Sequence, residues 1–349
     1  MKAITVIPGE AGSVRVEDLD GPAPGEGEVL VEGLLLGICG TDAEIVEEFE
    51  HGAPPPGRDR LVIGHESLGR VIEAPRGSGL AEGDLVVGIV RRPDPVPCEP
   101  CANGEWDFCR NGRFTERGIK EHDGFGARRW RIEPEYAVKL DSGLGDRGVL
   151  LEPASILAKA WEQTDRFVTR TSWRPRVALV TGAGPIGLLA ALMGVQRGLE
   201  VHVLDRTDRG PKPRLVADLG AVFHTGDVTG LGVEPDVVME CTGHGPLVFA
   251  LPEVAGRDAV ICLTGISSAN RLDEAPLGLV NTELVLKNTV MFGTVNAARR
   301  HYQQAAEALV KADRDWLDRL ITRRVPMEEF GAALGKEPDD IKVVVDLTL

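Results

Sequence analysis

A continuous apolar run, Val177-Ala178-Leu179-Val180-Thr181, leads straight into Gly182-Ala183-Gly184-Pro185-Ile186-Gly187 and on into the apolar stretch Ile186 to Leu192. A bare G-x-G-x-x-G is a weak signal. Here a buried strand precedes it, a helix opens from it, and a second strand, Val201-His202-Val203-Leu204-Asp205, closes a βαβ unit. Each glycine has its own job: Gly182 allows the tight turn, Gly184 lets backbone approach a pyrophosphate, and Gly187 permits close helix–strand packing. The helix N-terminus at Pro185 and Ile186 presents its unpaired N–H groups to phosphate. The implied ligand is a dinucleotide. Asp205 ends the second strand where an acid accepts from a ribose 2′-hydroxyl, which favours NAD, while Arg206 directly after it offers a guanidinium to a 2′-phosphate and keeps NADP open.

Further apolar strands at 236–241, 258–263 and 289–293 extend this unit into a doubly wound parallel sheet, an α/β arrangement. Thr242, Gly265 and Asn296 follow those strands and fall at the cofactor edge. Cys241 and Cys262 lie within the apolar strands and read as inert core thiols. Residues 1 to about 150 differ in character: short strands such as Glu28–Glu32, Leu61–Ile63 and Asp84–Gly88 are punctuated by turns, as in a β-rich, barrel-like domain. An amphipathic helix at 302–310, a second near 328–334 and a strand at 341–345 make up the tail.

With 349 residues, 43% of them hydrophobic, the chain is long enough for two cores. A net charge of −15 argues against nucleic acid or an anionic membrane as partner. No run approaches the ~18 apolar residues of a membrane span. Met1 to Val6 reads as a strand rather than a signal peptide, so the expected location is cytoplasmic. Six cysteines are too few for a disulfide scaffold, and three of them cluster as Cys98-x2-Cys101-x7-Cys109, a spacing suited to a metal.

A second metal signal lies in Gly37-Ile38-Cys39-Gly40-Thr41-Asp42 and Gly64-His65-Glu66, with Glu152 much later in the chain. Thiol, imidazole and carboxylate are all good zinc donors, and a mixed Cys/His/Glu set leaves a position for water or a substrate oxygen. Glycines flank these side chains, so turns present them. This set reads as a catalytic metal site.

G-I-C-G-T-D followed by G-H-E-S-L-G resembles the zinc-containing medium-chain alcohol dehydrogenases. Later residues narrow the resemblance to their glucose dehydrogenase branch. It implies a GroES-like catalytic domain of residues 1–155 and 297–349, a Rossmann domain of residues 156–296, and a homo-oligomer, dimer or tetramer. Cys39, His65 and Glu152 would hold Zn²⁺, with Glu66 as an exchangeable fourth ligand. Thr41 matches the family's hydroxyl relay, whereas Glu44 stands where several relatives have His. Related chains often supply four cysteines as C-x2-C-x2-C-x7-C; here Pro95 takes one place, and Asp94 is the nearest replacement beside Cys98, Cys101 and Cys109. Glu116, between Phe114 and Gly118, matches a glutamate that receives sugar hydroxyls, and Val295-Asn296-Ala297 matches a segment contacting sugar and cofactor. With Glu152, these residues would line the substrate position. The implied activity is oxidation of D-glucose or a similar aldose at C1 to the lactone, with NAD or NADP as acceptor. Two other readings remain: a polyol- or threonine-type dehydrogenase on the same scaffold, and a catalytically silent nucleotide-binding relative.

Overall fold

The computed structural model describes residues 1–22, 25–47, 52–267 and 275–349. They divide into two compact units, Met1–Ser155 with Asn296–Leu349, and Ile156–Val295.

In the second unit, six strands run parallel: Val177–Thr181, Glu200–Leu204, Val222–His224, Val237–Glu240, Val260–Leu263 and Val290–Gly293. Numbered in chain order, they lie 3-2-1-4-5-6 across the sheet. This is the dinucleotide-binding order, whose reversal point opens at the carboxyl end of the first strand. The three-residue strand Val222–His224 is the one the sequence reading lacks. It is an edge strand with no fully buried residue, too short to show either apolar continuity or alternation. The helix Pro185–Gln196 begins with Pro at its first turn, where the missing N–H costs nothing. Gly187 to Gly194 are all buried, so the helix is apolar around its whole circumference rather than along one stripe.

The first unit is β-rich, with a seven-stranded sheet and two three-stranded sheets among the described residues. Its spine is the strand Val29–Gly37, which pairs antiparallel with Glu66–Glu73 on one side and with Lys342–Asp346 on the other. All five residues of Lys342–Asp346 are buried, so the tail completes this unit's sheet. Asn296 belongs here and not to the nucleotide-binding unit. The chain leaves that unit at Val295, and Asn296 takes a left-handed φ of 62° with its amide bonded to Glu116.

Phe125 and Trp130 meet edge to face at 4.8 Å in this unit's core, both almost fully buried. Phe125 also fills the space beside Gly88, where an added Cβ would come within 2.2 Å of its ring. Truncation leaves a cavity between a ring and a backbone that cannot both collapse into it. Phe125→Ala should therefore cost about 3–5 kcal/mol, read as a lowered urea midpoint; an unchanged midpoint would show that this contact does not anchor the sheet.

Candidate active site and metal centre

Strand register brings the metal-ligand segments together. Gly37 lies directly opposite Glu66, so Cys39, two residues beyond Gly37, and His65, one residue before Glu66, emerge at the same end of two paired strands. The pairing needs glycine at 37, because a Cβ there would sit 2.1 Å from Glu66 Oε2 and 2.9 Å from Lys342 Cε. Gly64 turns the chain before His65 with φ 97°, a conformation side chains rarely adopt.

Cys39 Sγ lies 3.1 Å from His65 Nε2. Ligand atoms of Cys39, Asp42 and His65 fall within 4.8 Å of one another, as do those of His65, Glu66 and Glu152. Asp42 joins the two segments: Oδ2 accepts from Cys39 N at 2.9 Å, and Oδ1 lies 3.4 Å from His65 Nδ1. A carboxylate behind the outer nitrogen of a histidine fixes the ring and makes it a better metal donor. Lys342 is buried; its Nζ donates to Ile38 O at 2.8 Å and forms an ion pair with Glu66. Thr41 is half-buried in the first turn of the helix Gly40–Glu47.

The charge balance here fits a cation. Asp42, Glu66 and Glu152 are all buried, and Lys342 is the permanent buried cation packed among them. Burial, with Glu66 and Asp42 close by, raises the Glu152 carboxyl to about 7 against the opposing pull of His65 and Lys342. Burial pushes His65 down, but Cys39 and Asp42 outweigh it and raise the imidazole well above its ordinary range. An electron-rich thiol–imidazole–carboxylate set of this kind suits Zn²⁺ with a position open to substrate.

Cys98, Cys101 and Cys109 form the other thiol group, their sulfurs within 4.8 Å of one another. Arg110 N donates to Cys98 Sγ at 3.3 Å and, with further backbone donors, brings that thiol to about 7. Burial leads the causes that push Cys101 up to about 12. Asp94 lies outside this group of three sulfurs. Its Oδ2 accepts from Asn111 Nδ2 at 2.9 Å and from Arg113 Nε at 3.0 Å, and its Oδ1 accepts from Val96 N at 2.8 Å. The carboxylate braces its own loop, and three thiols remain as donors. Cys262 is a core thiol and Cys241 is half-buried, and burial pushes both up, Cys241 to about 12.

On the nucleotide-binding unit, a Cβ at Gly187 would stand 1.7 Å from Gly182 O, so only glycine lets the loop close on its helix. Gly184 caps that helix with nothing near its Cβ position, leaving the N-terminus accessible at Pro185 and Ile186. Asp205 Oδ2 accepts from Ala183 N at 2.7 Å and pairs with Lys212 Nζ at 3.0 Å, while Oδ1 accepts from Arg206 N at 2.8 Å. Burial alone would raise this carboxyl, but the Ala183 N–H and Lys212 hold it below the ordinary range. Lys212, absent from the sequence reading, is thus the cation beside Asp205; Arg206 is exposed and contributes its backbone. Thr242 and Gly265 lie at the carboxyl ends of the fourth and fifth strands.

Glu116 and Asn296, 180 residues apart, are joined in the first unit: Asn296 Nδ2 donates to Glu116 Oε1 at 2.7 Å. Arg91, buried and stacked 3.7 Å over Phe114, donates to the same oxygen through Nε at 3.0 Å and lies 2.9 Å away through Nη2. Three donors thus converge on Oε1, while Oε2 has no partner among the described residues.

A Rossmann unit together with a β-rich unit carrying a Cys/His/Glu metal set defines a medium-chain alcohol dehydrogenase. The alcohol dehydrogenase GroES-like domain family matches residues 25–142, and the glucose dehydrogenase C-terminus family matches residues 145–347. The glucose 1-dehydrogenase of Methanocella arvoryzae is 38% identical over 358 residues, covering 99% of each chain, and that of Thermoproteus tenax is 37% identical over 354 residues with the same coverage. The Haloferax mediterranei glucose dehydrogenase, solved with NADP, Zn and gluconolactone, superposes with a TM-score of 0.91 at 31% identity over 99% of both chains. The chain belongs to the glucose dehydrogenase branch of the zinc-dependent medium-chain alcohol dehydrogenases.

The buried Glu66–Lys342 pair yields a test of the centre's construction. Removing one partner leaves the other charged and dry, at a cost of about 3–5 kcal/mol. Lys342→Met should lower stability by that amount, and adding Glu66→Gln should recover most of the loss in a double-mutant cycle by thermal or urea unfolding. Additive losses would show that the two side chains are not coupled.

Proposed function

We propose that this chain oxidises D-glucose, or a closely similar aldose, at C1 to the lactone, with zinc at the Cys39/His65/Glu152 set and NAD or NADP as hydride acceptor. The observation that carries the sugar assignment is the convergence of Arg91 and Asn296 on Glu116 Oε1. A glutamate held by one oxygen, with the other oxygen free, is built to accept from hydroxyls. A simple alcohol leaves such a group unpaired, and each unmet buried polar group costs on the order of 1–3 kcal/mol. A polyhydroxylated ring is preferred accordingly. The threonine-type and silent readings lack an observation of this kind in their favour.

Bound zinc supplies Lewis acidity toward the anomeric hydroxyl, and a bound nicotinamide takes up the hydride from C1. Cys39, His65 and Glu152 would be the protein ligands, with Asp42 orienting His65. Glu66, paired with Lys342, would be the exchangeable carboxylate, and the three-cysteine lobe would hold a second, structural metal. Thr41 takes the hydroxyl proton and passes it toward solvent. Glu116, Asn296 and Glu152 orient the ring. On the nucleotide-binding unit, Gly182, Gly184, Pro185, Ile186 and Gly187 receive the pyrophosphate, and Asp205 receives the ribose; Arg206, Thr242 and Gly265 border the cofactor. Asp205 meets a 2′-phosphate with like charge, so NAD is used at least as well as NADP, an effect that Lys212 and Arg206 moderate.

The same reading makes the chain a homo-oligomer, dimer or tetramer. The helix Leu277–Leu286 buries none of its residues and exposes Leu277, Leu279, Val285 and Leu286. Unpaired cysteine thiols at both metal sites suit a cytoplasmic setting. No helix among the described residues is long and apolar enough to cross a membrane.

Glu116→Gln should lower kcat/KM for glucose by about ten- to a hundredfold, a loss of roughly 1.4–2.7 kcal/mol, while zinc content and cofactor affinity stay near wild type. Chelation should abolish turnover, and kcat/KM with NAD should match or exceed that with NADP. Sugar turnover untouched in Glu116→Gln, or short aliphatic alcohols outcompeting glucose, would overturn the sugar assignment. An NADP preference above about tenfold, 1.4 kcal/mol, would overturn the cofactor assignment alone.

A further inference from the structure

Glu240 ends the fourth strand of the parallel sheet, fully buried, and neither the fingerprint nor the metal chemistry accounts for it. A carboxylate in such a place normally carries a large desolvation cost, so its partners indicate what it is for. Oε1 accepts from Thr242 N at 2.8 Å, from Thr181 Oγ1 at 3.3 Å, and from the Thr242 hydroxyl. Oε2 accepts from Gly243 N at 3.1 Å. The hydroxyl of Thr242 itself accepts from His244 N at 3.0 Å, which directs its own proton to Glu240. The main-chain carbonyl of Glu240 also accepts, from Thr264 N and Thr264 Oγ1 at 2.8 Å and from Gly265 N at 3.2 Å.

One residue is therefore bonded to the carboxyl ends of three adjacent strands: Thr181 before the glycine-rich turn, the 242–243 turn, and the 264–265 turn. Those turns pack without room to spare. A Cβ at Gly182 would lie 2.9 Å from Thr242 Cγ2, and one at Gly265 would lie 2.1 Å from Gly243 N. Ligands of this fold bind in the crevice outside the carboxyl ends of the strands, where the strand order reverses. Here that point adjoins the first and fourth strands, whose ends Glu240 ties together.

We propose that Glu240 is a positioning residue for the dinucleotide: both oxygens of its carboxylate hold the end of the first strand and the 242–243 turn, and its main-chain carbonyl holds the 264–265 turn, at the floor of the cofactor crevice. The inference rests on the cofactor half of the functional reading and is independent of the sugar. Glutamine keeps the shape but must present an amide N–H to one of two obligate backbone donors, Thr242 N or Gly243 N. One turn is then released.

Glu240→Gln should raise the KM for NAD(P)⁺ and the Kd for NAD(P)H about tenfold. The KM for glucose, zinc content and kcat at saturating cofactor should stay within about twofold. If the variant does not fold, Thr181→Val and Thr264→Val each remove one hydroxyl from the same network, and each should raise the cofactor KM about two- to fourfold without raising the sugar KM. Unchanged cofactor binding in these folded variants would overturn the proposal, as would an equal rise in the KM for both substrates, the signature of general loosening. A wild-type enzyme that turns over some other alcohol with NAD(P) would overturn the sugar reading and leave this test intact.

Discussion

The first unit depends on holding three carboxylates and an imidazole out of water beside the half-buried Cys39 thiol, with Lys342 as the permanent cation built into the cluster. Unpaired buried charge is among the most costly arrangements a fold can contain, so this region favours further positive charge. Histidine protonation would supply part of it, and a divalent ion held here would supply more charge and directed bonds. The raised Glu152 and His65 protonation equilibria are two signs of the same imbalance. The geometry serves it as well: Gly37 opposite Glu66 and the turn at Gly64 leave space for the carboxylate, the ammonium and the imidazole at one strand end.

The nucleotide-binding unit answers a different constraint. A dinucleotide in this fold is held largely by backbone at the strand ends, so the requirement is that loops be placed and kept in place. Gly187 against Gly182 O sets the turn, Asp205 is drawn to it through Ala183 N, and Glu240 connects the remaining turns. On the proposed reading, specificity would be divided by unit: the nucleotide read by main chain and Asp205, the substrate by side chains such as Glu116 on the β-rich unit.

The sequence exposed those parts whose chemistry is local. The βαβ fingerprint, the Cys39 and His65 segments and the C-x2-C spacing occupy a few consecutive residues each, and the long apolar strands of the second unit announce themselves. What it concealed is held by contacts across long separations. Lys342 is 304 residues from Ile38, and Asn296 is 180 from Glu116, so neither pairing leaves a periodic or spacing signal. Arg91, Lys212 and Glu240 look like ordinary charged residues until burial and partners are known. Asp94 shows the same limit, since its position beside Cys98 gives no sign that Asn111 and Arg113 engage its carboxylate. Asp42 was visible as an acid three residues after Cys39, and its tie to His65 required the register of two strands.

In the proposed reaction, C1 of an aldose gives its hydrogen, with both bonding electrons, to a nicotinamide. Incubating the zinc-loaded enzyme with glucose carrying deuterium at C1 and either oxidised cofactor, then weighing the reduced cofactor by mass spectrometry, tests that transfer atom by atom. Reduced cofactor should be about one mass unit heavier than with unlabelled glucose and should form in step with the lactone. Reduced cofactor without the label, or label retained in the sugar product, would place the oxidation at another carbon and contradict the account.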